Sequence, residues 1–160
     1  MYSLFSNKYY FISIISLIIL FIQTNLPSII LYGNNNINLD LVLIFLTVLV
    51  FLKNSYKVII LAFIYGLVQD MVMSVDQLGV FSFIKSTTAF LLLYVRKYDT
   101  IWDKKMKFLY VFLIYFLHFL VYYSIIYNDF YFIIFSISFF QSVSTFILFI
   151  LANRFFIKIK

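Results

Sequence analysis

Cysteine and glutamate are missing from this chain, and histidine and proline occur once each, as His118 and Pro27. The lack of cysteine excludes disulfides and thiolate metal sites without locating the compartment. A single histidine beside six aspartates leaves little from which to build a metal centre or a general acid–base pair. No paired carboxylates and no His-x-x-x-His spacing occur, so the reading is of a protein that is not an enzyme, with no cofactor and no metal. Charge is scarce as well. Of 160 residues only 11% are charged and 65% are hydrophobic, with mean hydropathy +1.06. A water-soluble domain carries about 45–50% apolar and about 25% charged residues. This composition predicts an all-α membrane protein, one polytopic domain over residues 1–160 with no room for a domain outside the bilayer.

What is present is a series of apolar runs. They predict six transmembrane helices over residues 9–31, 39–56, 58–74, 78–95, 108–127 and 131–156. A crossing takes about 20 residues at ~1.5 Å each to span ~30 Å of hydrocarbon. The first run is too long for a signal-peptide core and lacks an A-x-A-like cleavage site, which predicts a retained helix. The second run is short, and snorkelling of Lys53 and Lys57 extends it toward Tyr56. Lys and Arg are absent from the segments 33–38, 74–77 and 128–130. With Lys85 set aside, the basic residues fall on one side, which places both the N and C termini in the cytoplasm.

Two ionisable residues stand inside apolar runs. Asp70 and Lys85 flank a turn near Asp76-Gln77, and each would cost about 2.5–3.5 kcal/mol at membrane depth if unpartnered. In an antiparallel hairpin they come within about two residues of level, or ~3 Å, which predicts an intramembrane ion pair. A role in fixing helix register alone is the competing reading.

The other polar residues gather in stripes that predict a shared interior. Ala62, Gly66 and Asp70 follow each other at i, i+4, i+8, a small-x-x-x-small face suited to close helix approach. Further stripes are Ser82, Lys85, Ser86 and Ala89; Tyr115, His118 and Tyr122; Ser138, Gln141, Ser142 and Thr145; and Ser13, Ser16 and Gln23. His118 reads as a hydrogen-bonded interior residue rather than a proton relay. Asp40 reads as a helix cap that accepts from free backbone N–H groups. The loop Arg96–Lys107, with Trp102 as an interfacial anchor, reads as a cytoplasmic basic segment.

The segment Leu39-Asp40-Leu41-Val42-Leu43-Ile44 resembles the opening of the second helix in the rod shape-determining MreD family, with Leu39 where that family usually has proline. Gly66-x-x-x-Asp70 followed by Leu78-Gly79 is similar to the family's G-x-x-x-D … L-G core. The resemblance covers roughly residues 39–93 and extends to length, span number and basic ends. Lys85 is not part of it.

The resemblance implies a non-enzymatic subunit of the bacterial cell-elongation (rod) complex in the cytoplasmic (inner) membrane. Such a subunit helps maintain cell shape and direct lateral peptidoglycan synthesis. Implied partners are MreC, through its membrane helix and membrane-proximal part, and indirectly MreB, RodA and a class B penicillin-binding protein. Membrane lipids and a second copy in a homodimer are further partners; nucleic acid is not. The family is also similar in architecture to the substrate-binding subunits of energy-coupling-factor transporters. A small-molecule (vitamin) binding subunit is therefore the alternative, with Asp70, Lys85 and His118 as ligand contacts.

Overall fold

The computed structural model describes residues 15–23, 25, 29–32, 35–37, 39–53, 55–73, 78–98, 100–126 and 131–154. Both termini, Pro27, and the turns expected at 74–77 and 128–130 lie outside these residues, as do Lys8, Lys158 and Lys160, on which the orientation reading leaned. Helix α1 covers 15–23. A short antiparallel hairpin follows, β1 (Ile29–Tyr32) with β2 (Asn35–Ile37), pairing Ile29 with Ile37 and Ile30 with Asn36. The remainder is helical: α2 (Leu41–Lys53), α3 (Lys57–Met73), α4 (Val80–Lys97), α5 (Lys104–Ile126) and α6 (Tyr131–Ala152).

Sequential helices run antiparallel. Asp70 near the end of α3 meets Gly79 and Phe81 at the start of α4. Thr88 of α4 meets His118 of α5, and Phe81 stacks on Tyr122. Phe108, Phe112 and Phe116 of α5 meet Phe146, Phe139 and Phe135 of α6 in turn. Against this frame α2 is the central rod, touching α3, α4 and α6. Its sequence is apolar on all sides except for Thr47, and a helix of that kind is enclosed by others. Val42, Leu43, Leu46, Leu49, Val50 and Phe51 are all buried. Tyr115 and Phe149 fill the core beside it, their rings 6.0 Å apart.

Helices α3 and α4 approach closely at Gly66. A Cβ there would run into the Ser82 backbone, so α3 lies against the main chain of α4. Ala62, one turn earlier, is fully buried.

The six-span architecture is corrected by these helices. Among the described residues, two helices are long and apolar enough to cross a membrane, Lys104–Ile126 and Tyr131–Ala152. The second expected span is instead the 13-residue α2. At ~1.5 Å per residue it is about 20 Å long, and apolar helices of that length are more often core helices. The fourth expected span is an 18-residue helix whose serines, threonines and three basic residues keep its hydropathy down. The first expected helix also does not continue to residue 31, because 29–32 form a strand. A proline at 27 lacks the N–H a continuing helix needs, and Ile29-Ile30 are β-branched residues that suit a strand. The multi-pass inner-membrane placement, which rested on six spans, falls with them.

Candidate functional site

Near the middle of the bundle a carboxylate, an ammonium and an imidazole meet, each buried. Asp40 precedes α2 as its N-cap, and its Oδ1 accepts the Leu43 N–H at 2.9 Å. This satisfies one of the backbone donors left free by the first turn of any helix. Gln23 of α1 supports the same turn: its Oε1 accepts the Val42 N–H at 2.9 Å, and its Nε2 donates to Asp40 Oδ1 at 3.4 Å. The other carboxylate oxygen, Oδ2, accepts from Lys85 Nζ in a buried ion pair. The Lys85 ammonium also lies 5.6 Å from the centre of the Phe81 ring.

His118 completes the cluster from α5. Its Nδ1 contacts the Thr88 hydroxyl at 2.8 Å, and its Nε2 stands 3.8 Å from Asp40 Oδ2. The Thr88 hydroxyl proton goes to the Ile84 carbonyl at 2.7 Å. In that arrangement His118 Nδ1 is the donor and Nε2 carries the lone pair.

One helical turn away, Thr47 and Tyr115 exchange a hydrogen bond of 2.8 Å between α2 and α5, while Thr47 also donates to the Leu43 carbonyl. Four helices thus send polar groups to one locus: α1, α4, α5 and the cap of α2.

Burial and charge act in opposite directions here. Burial disfavours the Asp40 carboxylate, but the Lys85 cation and the hydrogen bonds from Lys85 and Leu43 outweigh it and hold its pKa below the usual carboxylate range. His118 is pushed down to about 3 by burial and by the Lys85 cation, against the pull of Asp40. The imidazole is therefore neutral. Burial also raises the Tyr115 phenol, with the Asp40 charge adding to it and the Thr47 bond opposing.

The expected Asp70–Lys85 pair is corrected by this geometry. Lys85 turns to Asp40, 45 residues away in sequence. Asp70 is spent on backbone: its oxygens accept the N–H groups of Gly79, Phe81 and Ser82 at 3.0, 3.0 and 3.2 Å. The reason is local. Gly79 sits at φ +101°, in the left-handed region that glycine adopts without penalty, and leads into α4 with no side-chain cap of its own. The first-turn donors of α4 consequently face α3 and are taken by Asp70.

Of the other candidate residues, Leu78 is exposed beside Gly79. Gln141 of α6 accepts the Tyr123 hydroxyl of α5, away from the charged cluster. Ser138, Ser142 and Thr145 are buried around it. Thr88 and Thr47 were not singled out from sequence. Thr88 lies three residues beyond Lys85 on one helix face, and Thr47 is the lone hydroxyl of its apolar run; both signals were present.

No protein-family model, curated protein or solved structure matches this chain. The similarity to MreD accordingly stands on its motif residues alone, and those residues are used internally: Gly66 for helix contact, Asp70 for capping, Asp40 for the ion pair. Both functional readings built on a six-span membrane subunit, the rod-complex component and the vitamin-binding subunit, lose their premise with the six spans. They are not carried further.

Proposed function

We propose that this chain is a non-enzymatic scaffold: a helical bundle locked in register from within, whose apolar flanks receive the apolar helices of a partner protein. The observation that carries this is the way polarity is distributed. The Asp40–Lys85 pair is enclosed, with His118 Nε2 beside it and without a hydrogen bond of its own, whereas large apolar side chains point outward from five helices. Examples are Phe21 on α1, Ile60 on α3, Phe83 on α4, Leu113 on α5 and Phe132 on α6. Contiguous exposed apolar surface beyond a few hundred Å² marks a place where something else binds. Helix flanks with i, i+3 and i+4 ridges suit the grooves of another helix.

A buried ion pair suits such a role better than it suits catalysis. It adds little net stability, but it penalises every packing arrangement that separates the two charges. That keeps the outward ridges in fixed relative positions.

Photo-crosslinking tests the reading. A benzophenone amino acid placed at Phe83, Leu113 or Phe132 in the full chain should give an adduct with one helical partner from at least one flank. The same probe at buried Leu92 should react only within the chain. Adducts that scatter evenly over unrelated proteins from every outward position would refute it.

A further inference from the structure

All the described chain ends and loops that carry Lys or Arg gather at one end of the bundle. The antiparallel order brings Lys53 and Lys57 of the α2–α3 connection together with Arg96 and Lys97 at the end of α4, and with Lys104, Lys105 and Lys107 at the start of α5. Arg154, after α6, joins them. Asp103 is the acid that the described residues place there. In this end lies a groove of about 310 Å³ lined by Tyr56, Phe90, Leu93, Tyr94 and Lys97. It is separate from the charged cluster in the bundle centre.

The lining has a direction. Phe90, Leu93 or Tyr94, and Lys97 succeed one another at three- and four-residue steps along α4, so the groove passes from apolar to aromatic to cationic toward the basic end. Lys97 Nζ is steadied 5.8 Å from the centre of the Tyr98 ring. Tyr56, in the turn just before α3, also lines it and brings a second phenol. Beyond the groove the same face of α4 continues two turns back as Phe83, which is exposed. None of the five lining side chains is acidic, and none carries an amide that could read a nucleobase.

We propose that this groove holds one anionic phospholipid molecule, with its phosphate at Lys97 and an acyl chain laid over Phe90 and Leu93 toward Phe83. The Lys97 ammonium and the Tyr56 phenol supply hydrogen-bond donors for phosphate oxygens, while the Tyr94 hydroxyl is held by Tyr98. The apolar rail supplies the area that an acyl chain needs, and a cavity of this size falls within the range of small-ligand sites. The surrounding lysines and arginines favour the anionic headgroup over a zwitterionic one.

Trp102 provides the readout, because it is the one tryptophan in the chain and connects to the groove through a series of ring contacts, stacked on Tyr98, which meets Tyr94 edge-on. It lies 5.9 Å from Tyr98, whose ring is 4.8 Å from that of Tyr94. The full chain in non-ionic detergent is titrated with phosphatidylglycerol brominated on its acyl chains, and Trp102 emission is followed. Saturable quenching is expected, with phosphatidylcholine of the same bromination needing roughly tenfold more, about 1.4 kcal/mol by the affinity scale. Lys97→Gln should abolish that preference and Lys97→Arg should keep it. Phe90→Glu, which sets a charge on the acyl path, should weaken both lipids.

Equal half-saturation for the two lipids overturns the proposal, as does an unchanged preference in Lys97→Gln. Full displacement by glycerol phosphate at the same concentration also overturns it, by showing a simple anion site.

Discussion

The ammonium of Lys85 and the carboxylate of Asp40 meet in the bundle interior, one from the second turn of α4 and the other from the cap of α2. Neither has water to fall back on. Removing a single partner should therefore cost more than removing both, since the survivor is a buried charge without a counterion. Lys85→Met or Asp40→Asn alone is expected to destabilise by about 3–5 kcal/mol, and the double variant by less than either single one. Asn keeps a cap oxygen at position 40, so the comparison isolates the charge. Additive losses in equilibrium unfolding would argue against a coupled pair.

At Gly66 the two helices touch through backbone. Gly66→Ala would gain helix propensity of about 1 kcal/mol in isolation, yet here the added methyl meets the main chain of Ser82. Net destabilisation of about 1–3 kcal/mol is expected from overpacking. A thermal midpoint at or above that of the parent would show that α3 and α4 can separate freely.

Asp70 does for α4 what a local Ser or Asp does for most helices. Asp70→Ala leaves the N–H groups of Gly79, Phe81 and Ser82 without their acceptor. A loss of about 1–3 kcal/mol is expected. Amide hydrogen exchange is the sharper measurement: protection should fall at those three amides first and hardly at all in α6.

Acid should weaken the fold before Asp40 titrates. His118 has its pKa near 6.5 when unfolded and about 3 in the bundle, so the unfolded chain binds the extra proton. With the folded value the lower one, its contribution is complete above about pH 6.5 and is lost as pH falls toward 3, by at most about 1.4 kcal/mol per pH unit. Asp40, also held low, adds a loss of the same sign only below its ordinary value of 3.8. His118→Asn should flatten the slope between about pH 6 and about pH 4 and leave the deeper acid limb. Unfolding free energies measured across that interval decide it.

Much of the bundle could be read from residue spacing. The inward stripes on α3, α4, α5 and α6 contain Gly66, Lys85, His118 and Gln141, and all four side-chain positions are enclosed. Helices α3 to α6 lie within a few residues of the apolar runs. Two things were not legible. Hydropathy counts how apolar a run is, not what surrounds it, so Leu41–Lys53 looked like a span when it is the enclosed rod. Nor can distance from a turn reveal who pairs with whom. Gly66 packs against Ser82, which sets Asp70 beside the first turn of α4, where Gly79, Phe81 and Ser82 donate to it, and leaves Lys85 further along the helix. That the cap of α2 lies against Lys85 is a tertiary fact with no local signature.

The Asp70 cap has an implication for how the chain can be divided. A helix whose first turn is closed by an acceptor from the preceding helix is not a portable fragment. Cutting between residues 73 and 78 and expressing the halves apart would leave α4 fraying at its start until α3 is supplied in trans. Helices α3 and α4 are thus one unit for any such division, held together by a carboxylate that belongs to the first and closes the second.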